Sequence, residues 1–327
     1  MVEIMKLLRL FVAALIMVMC AVSSKNSIAD SFQSWLVNFK KDAHSNGVSK
    51  RTINDALLDI KLIPRVVELD RKQPEFTLTF KQYLDRVISK RRGKIGRSKL
   101  IEHKKLLGDI SRKFNVQPRF IVALWGIETD YGRITGGFPV ISSLATLAFD
   151  GRRSKFFKKE LILALKIIDG GHITAAKMKG SWAGAMGQNQ FMPSSFHSFA
   201  IDYDGDGSKD IWHSLPDIFA SIANYLSKSG WKGNETWGRP IRLPTNFPTQ
   251  LIGRKQKERL QFWSNLGVLR LNGKPLPSAS IDSSIIKPEK NGSGPAYLIY
   301  NNYRVILKWN RSDYFATAVG TLADNLR

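Results

Sequence analysis

Cysteine is nearly missing from this chain: Cys20 is alone among 327 residues. No intrachain disulfide can form, and no thiolate cluster can hold a metal. Five histidines are scattered, and no H-E-x-x-H, P-loop or G-x-S-x-G stretch occurs. Zinc-peptidase, nucleotide-hydrolase and serine-hydrolase chemistry lose their usual carriers. Acidic residues are scarce, 27 against 50 Lys and Arg, for a formal charge of +23. Long apolar runs are lacking too. The stretch from Leu10 to Val22 is too short for a convincing membrane span.

That stretch follows Lys6 and Arg9 and gives way to small residues, the layout of a secretory signal over 1–29. Ser27-Ile28-Ala29 suits cleavage, so the exported chain is expected to begin at Asp30 in the periplasm. Lipid anchoring through Cys20 is disfavoured, because Met19 is a poor small residue before it. Without Glu3, Lys6, Arg9 and Lys25 the charge is still about +21, a field that attracts polyanions. Export argues against nucleic acid and leaves an anionic cell wall, or peripheral contact with anionic lipid or wall machinery. With 43% hydrophobic and 10% aromatic residues, the chain can bury a core and needs no disulfide.

Helical periodicity dominates the first part of the chain. "SFQSWLVNFKKDAHSNG" predicts a helix capped at Ser31 and stopped at Gly47, and "SKRTINDALLDI" a second one capped by Ser49. "QPEFTLTFKQYLDRVISKRR" predicts another that ends in a basic cluster. Residues 155–178 read as helical segments split by glycines, and "SLPDIFASIANYLSKSGW" as an amphipathic helix. From 236 to 308, Pro, Gly and β-branched residues increase ("RPIRLP", "PAYLIYNNYRVILKW"), predicting a small β-rich subdomain. "SDYFATAVGTLADNLR" predicts a closing helix. The expected layout is a signal (1–29), an N-terminal helical region (30–113), a core (114–235), a β-rich subdomain (236–308) and a returning helix (309–327).

Three stretches carry chemistry. In "NVQPRFIVALWGIETDYG", Pro118 suits a first helical position and Gly132 a stop. Ile121, Leu124 and Trp125 form an apolar stripe whose next member is Glu128. A carboxyl placed there loses hydration of its anion, so its pKa should rise and suit it to proton transfer. Asp130, two positions on, is expected on the solvated side. The bland alternative is a salt-bridged Glu at a helix end. In "GSWAGAMGQNQFMPSSF" (180–196), small residues allow close backbone approach. Ser181, Gln188, Asn189 and Gln190 offer uncharged donors and acceptors, and Trp182, Phe191 and Phe196 offer aromatic faces, as sugar sites do. Tight helix packing would explain the same composition. In "DYDGDGSKDIW", Asp202, Asp204, Asp206, Gly207, Ser208 and Asp210 occupy positions 1, 3, 5, 6, 7 and 9 of an EF-hand calcium loop. Position 12 is His213 instead of Glu, and Asp217 can close the site from the next helix. The expected role of Ca2+ is structural, and no organic cofactor is expected.

With these stretches in view, the sequence closely resembles the membrane-bound lytic murein transglycosylase B family and its soluble forms. The resemblance runs through "VVELDRKQPEF" (66–76), "IVALWGIETDYG" (121–132), "GSWAGAMGQNQFMPSSF" (180–196), "DYDGDG" (202–207), "SIANYLSKSGW" (221–231) and "LKWNRSDYFATAVGTLADNL" (307–326). It implies a mainly α fold, with a lysozyme-like helical core, a helical flank and a small β subdomain. It also implies cleavage of the β-1,4 bond between N-acetylmuramic acid and N-acetylglucosamine in peptidoglycan by a monomeric enzyme. Glu128 matches the family's sole acid/base, and Ser181, Gln190, Tyr225 and Asn310 match groove residues. Asp202, Asp204, Asp206 and Ser208 match its calcium loop, with Asp217 as a later ligand. Trp182 and Trp309 depart from a common Tyr, Phe315 from a frequent Tyr, and the loop is one residue longer before Asp217. Two rivals stand beside this reading. A hydrolytic muramidase would need a second acid, for which Asp150 or Asp169 can be nominated. A non-catalytic wall-binding scaffold would rely on charge.

Overall fold

The computed structural model describes residues 30–72, 78–289 and 291–327. The signal and Cys20 therefore lie outside the described residues, as does part of the 66–76 motif. The expected mainly α architecture is present. Helices α1 (30–45), α2 (Lys50–Ala56) and α3 (Pro64–Lys72) come first, then α4 (Phe80–Val87), α5 (Lys90–Glu102) and α6 (Lys104–Phe114). The centre holds α7 (Pro118–Thr129), β1 (Phe138–Pro139), α8 (Val140–Asp150), α9 (Ser154–Asp169) and β2 (Lys179–Gly180). It continues with α10 (Pro193–Phe199) and α11 (Leu215–Lys228). Strands β3 (Gly238–Arg242), β4 (Glu258–Arg259), β5 (Leu269–Arg270), β6 (Asp282–Ile286) and β7 (Ala296–Ile299), with α12 (Leu260–Asn265), make the β-rich part. Helices α13 (Asn301–Trp309) and α14 (Asp313–Asn325) follow. The sheet is antiparallel, in the order β4-β6-β7-β3-β5.

Local chemistry explains most boundaries. The Ser49 hydroxyl accepts from Thr52 N–H at the start of α2, as expected. Thr79 and Gln82 form a reciprocal capping box on α4. Ser31 does not cap α1, because residue 30 is already helical. The basic cluster does not end α4 either. Ser89 caps a new helix there, and the cations run into α5. Residues 170–178 are turns, not helix. "NNYRVILKW" forms α13 instead of extending a strand, because Asn302, Tyr303 and Ile306 share a helical face and bury it.

Three apolar clusters result. One joins α6, α7, α11 and α14, with Phe120, Trp125, Phe219 and Val319 inside. A second joins α1, α2, α8, α9 and α10, with Phe39, Leu144, Leu165 and Phe196. The third lies between the sheet and α12 around Trp263. Trp309 packs against both helical clusters, so the end of α13 lies on the seam between them.

Candidate active site

Helix α7 is buried along most of its length, including Phe120 to Gly126. Pro118 occupies its first turn, as expected. Its C-terminus differs from expectation: Asp130 and Tyr131 take left-handed φ values of 52° and 62° before Gly132 at 82°. Asp130 is not solvated. It is 4% exposed, and Arg91, Arg92 and Arg133 reach it at 2.5, 3.3 and 2.6 Å. Burial alone would raise its pKa, but the three guanidiniums outweigh that and hold it below the ordinary range. The αL turn aims Asp130 back at α5, and the clamp fixes the last turn of α7.

Two residues earlier, Glu128 is half-buried. Its Oε1 accepts a 2.7 Å hydrogen bond from Trp309 Nε1–H. Desolvation pushes its pKa up to about 7, against the opposing pull of that N–H. Trp309 is held in turn by Tyr225 and Phe191, with ring centroids 4.6 and 5.2 Å away. The Tyr225 hydroxyl donates to Lys308 O at 2.7 Å, fixing the end of α13. In the sequence, Trp309 stands out only as a departure from a common Tyr. Its contact with Glu128, 181 positions away, leaves no local signal.

The 180–196 segment lies beside α7. Gly180 pairs with Phe138 across the β1–β2 ladder, and a Cβ on it would sit 2.1 Å from Ala185 O. Most of the expected donors are engaged in holding this loop. Gln188 accepts from Trp125 Nε1–H at 2.7 Å and donates to Trp212 O at 2.8 Å. Asn189 is fully buried and donates to Ile218 O. Gln190 takes φ 49° and donates to Thr135 O and Gly187 O. Ser181 Oγ accepts from Ala185 N–H. Phe191 and Phe196 are core residues, while Trp182 is half-buried. Ser181 and Gln190 are half-buried. Tyr225 is 8% exposed, and Asn310 is exposed, with its Oδ1 accepting from Ser312 N–H. The nominated second acids are committed elsewhere: Asp150 pairs with Arg71 at 2.8 Å, and Asp169 accepts from Ser49 and Thr52.

The acidic loop leads into α11. Carboxylate oxygens of Asp202, Asp204 and Asp217 lie within 4.8 Å of one another. Asp217 is fully buried. It accepts from Tyr203 N–H and Asp210 N–H, both at 2.7 Å. Burial, aided by the nearby Asp204 charge and opposed by those N–H groups, pushes its pKa up to about 6. Three converging oxygen donors with this shift suit a hard cation such as Ca2+. Asp206 is exposed and accepts from Ser208 N–H, outside that three-carboxylate group. Asp210 instead accepts from Trp212 N–H and His213 N–H.

A helical body with a half-buried carboxyl at the seam of two packed clusters is the arrangement of a lysozyme-like fold. The chain belongs to the transglycosylase SLT domain family, whose sequence profile matches residues 31–324. It is 32% identical over 216 residues to membrane-bound lytic murein transglycosylase B of Escherichia coli K12. That match spans 64% of this chain and 56% of the relative, a little over half its length. Its fold is similar to SltB3 of Pseudomonas aeruginosa, solved with NAG-NAM-pentapeptide: TM-score 0.87, 42% identity, 90% of this chain and 79% of that one. It is also similar to E. coli Slt35 solved with calcium, at TM-score 0.75 and 26% identity over 89% and 92% of the two chains.

Proposed function

We infer that this chain is a lytic transglycosylase that cleaves the β-1,4 bond between N-acetylmuramic acid and N-acetylglucosamine in peptidoglycan. The carrying observation is Glu128, a half-buried carboxyl raised to about 7 and held by the Trp309 N–H. Near neutrality such a group can both give and take a proton. Glu128 protonates the glycosidic oxygen as the C1–O bond breaks, and the substrate's 2-acetamido group supports the cationic anomeric carbon. The Glu128 carboxylate then removes the proton of the muramoyl 6-hydroxyl, which attacks C1. Glu128 returns to its protonated form, and the product carries a 1,6-anhydro ring. No water is consumed, so no second carboxylate is required, in keeping with the engagement of Asp150 and Asp169 elsewhere. SltB3 has also been solved with NAG-anhNAM-pentapeptide, which supports this reading.

Ser181, Gln190, Tyr225 and Asn310 line the groove in this proposal, with Tyr225 acting through Trp309. Asp202, Asp204, Asp206, Ser208 and Asp217 form the calcium site, a structural brace at the start of α11. The enzyme works as a periplasmic monomer on glycan strands after signal removal. Mass spectrometry of fragments released from purified peptidoglycan tests the reaction. The wild type should release muropeptides lighter by one water than hydrolytic products, and Glu128→Gln should release none while remaining folded. Reducing-end fragments would instead establish a muramidase. Tight binding with no release by either protein would leave a scaffold.

A further inference from the structure

A cavity of about 440 Å³ opens beside the 180–196 loop, within the range of about 300–1,000 Å³ usual for small-molecule sites. Its wall is tied to that loop at two points. Thr135 lines it, and Thr135 O accepts from Gln190 Nε2–H at 3.0 Å. Gly136 lines it too, packed so closely on Gly180 that a Cβ there would sit 2.2 Å from Gly180 O. Lys177, Lys179 and His213 supply its charged groups.

The charge of this wall is one-sided, for it holds no Asp or Glu. His213 is offset by Asp210, 3.2 Å away. Among the described residues, the lysines in ion pairs are Lys81, Lys99, Lys158, Lys232 and Lys257. Lys177 and Lys179 are in none. The backbone holds these two together. Lys179 N–H donates to Lys177 O at 2.8 Å, closing a three-residue turn whose middle residue, Met178, is fully buried. Met178 O accepts from Val140 N–H at 3.0 Å, so the turn is pinned with both lysines exposed. Two cations fixed side by side repel, and the wall offers nothing to offset them. Lys179 opens β2, and Ser181 follows directly after it. The two-residue period of a strand puts them on one side, roughly 7 Å apart. Past Lys177, the adjoining cavity is lined by Asp55, Asp169 and Asp210, which ends the anion-selective stretch.

We propose that Lys177 and Lys179 read the carboxylates of the peptide stem on a muramic acid bound beside Ser181, an inference that rests on the transglycosylase reading of the groove. In intact peptidoglycan the amino sugars are N-acetylated and the lactyl carboxyl is amide-linked. The glycan is then uncharged, and the stem supplies the anions. The lysines thus favour strands that still carry their stems over denuded ones.

Equilibrium binding of soluble glycan strands to the full chain tests this, with Glu128→Gln preventing cleavage. Three probes are compared: strands with stems, the same strands stripped by an amidase, and strands whose stem carboxylates have been amidated. Stem-bearing strands should bind roughly three- to tenfold tighter than either other probe, the scale of two exposed ion pairs. The margin should shrink as salt rises. Adding Lys177→Gln and Lys179→Gln should erase it and leave the affinity for stripped strands unchanged, while Lys177→Arg with Lys179→Arg should keep it. Stem-bearing strands that bind no tighter than amidated or stripped ones would overturn the proposal, as would a margin that survives loss of both lysines. So would an equal fall for stripped and stem-bearing strands, which marks a structural role. Binding is read without turnover, so failure of the transglycosylase reading would appear separately, as wild type releasing no 1,6-anhydro ends.

Discussion

At the residue scale, the site turns on how one carboxyl is kept near neutrality. Burial raises Glu128 and the indole N–H of Trp309 restrains the rise, so the indole both positions the acid and tunes it. Trp309→Phe keeps the aromatic packing against Tyr225 and Phe191 but removes the donor. The pKa of Glu128 should then rise further, and the alkaline limb of the pH–rate profile should move above that of wild type, near 7. Turnover should fall, because the acid loses its fixed orientation. An unmoved limb would show that the indole does not tune it. Stability follows the same sign. A carboxyl raised from 4.5 to about 7 on folding makes the fold lose stability as pH climbs between those values. Glu128→Gln lacks that loss, so in denaturant titrations it should exceed wild type by up to roughly 3 kcal/mol at pH 8 and by little at pH 4.

At the element scale, the glycines and aspartates of the loops decide where α7, α10 and α11 sit. A methyl at Gly180 would meet Ala185 O at 2.1 Å, a backbone atom that can move only if the 181–185 turn opens. Gly180→Ala should therefore cost about 2 kcal/mol in chemical unfolding, and activity should fall with Ser181 displaced. The acidic loop is a similar brace: Asp202, Asp204 and Asp217 converge and repel one another unless a cation joins them. Added Ca2+ should raise the melting temperature of wild type in a concentration-dependent way. Asp204→Asn should blunt that response, and loss of the response would separate the ion's effect from general ionic strength. Much at this scale was legible. Ser49 and Pro118 act locally, where sequence can be read directly; of the spaced aspartates, Asp202 and Asp204 converge with Asp217 while Asp206 stays outside. Asp130 was misjudged because its partners Arg91 and Arg92 lie in another helix, 39 and 38 positions away. Its solvated placement assumed an α7 that ran on without the left-handed turn. Helix α13 was misjudged because β-branched residues there serve a helical face set by tertiary packing.

At the scale of the whole molecule, the excess of positive charge and the half-buried Glu128 make separable demands on binding. The cations are distributed: Lys90, Lys94 and Arg97 form an exposed stripe on α5, far in sequence from the 180–196 loop. Exposed cations of this kind can gather an anionic polymer without choosing a bond to cut. Raising salt from 0.1 to 1 M shortens the screening length from about 10 to 3 Å. That removes the long-range part and leaves contacts made through partly buried groups. Sedimentation of Glu128→Gln with purified peptidoglycan should then show affinity falling with salt to a finite plateau. Ser181→Ala or Gln190→Ala should lower the plateau, while Lys90→Glu with Lys94→Glu should lower only the low-salt affinity. Binding that vanishes at 1 M would mean that the chain holds the wall by charge alone and that the groove adds nothing to retention.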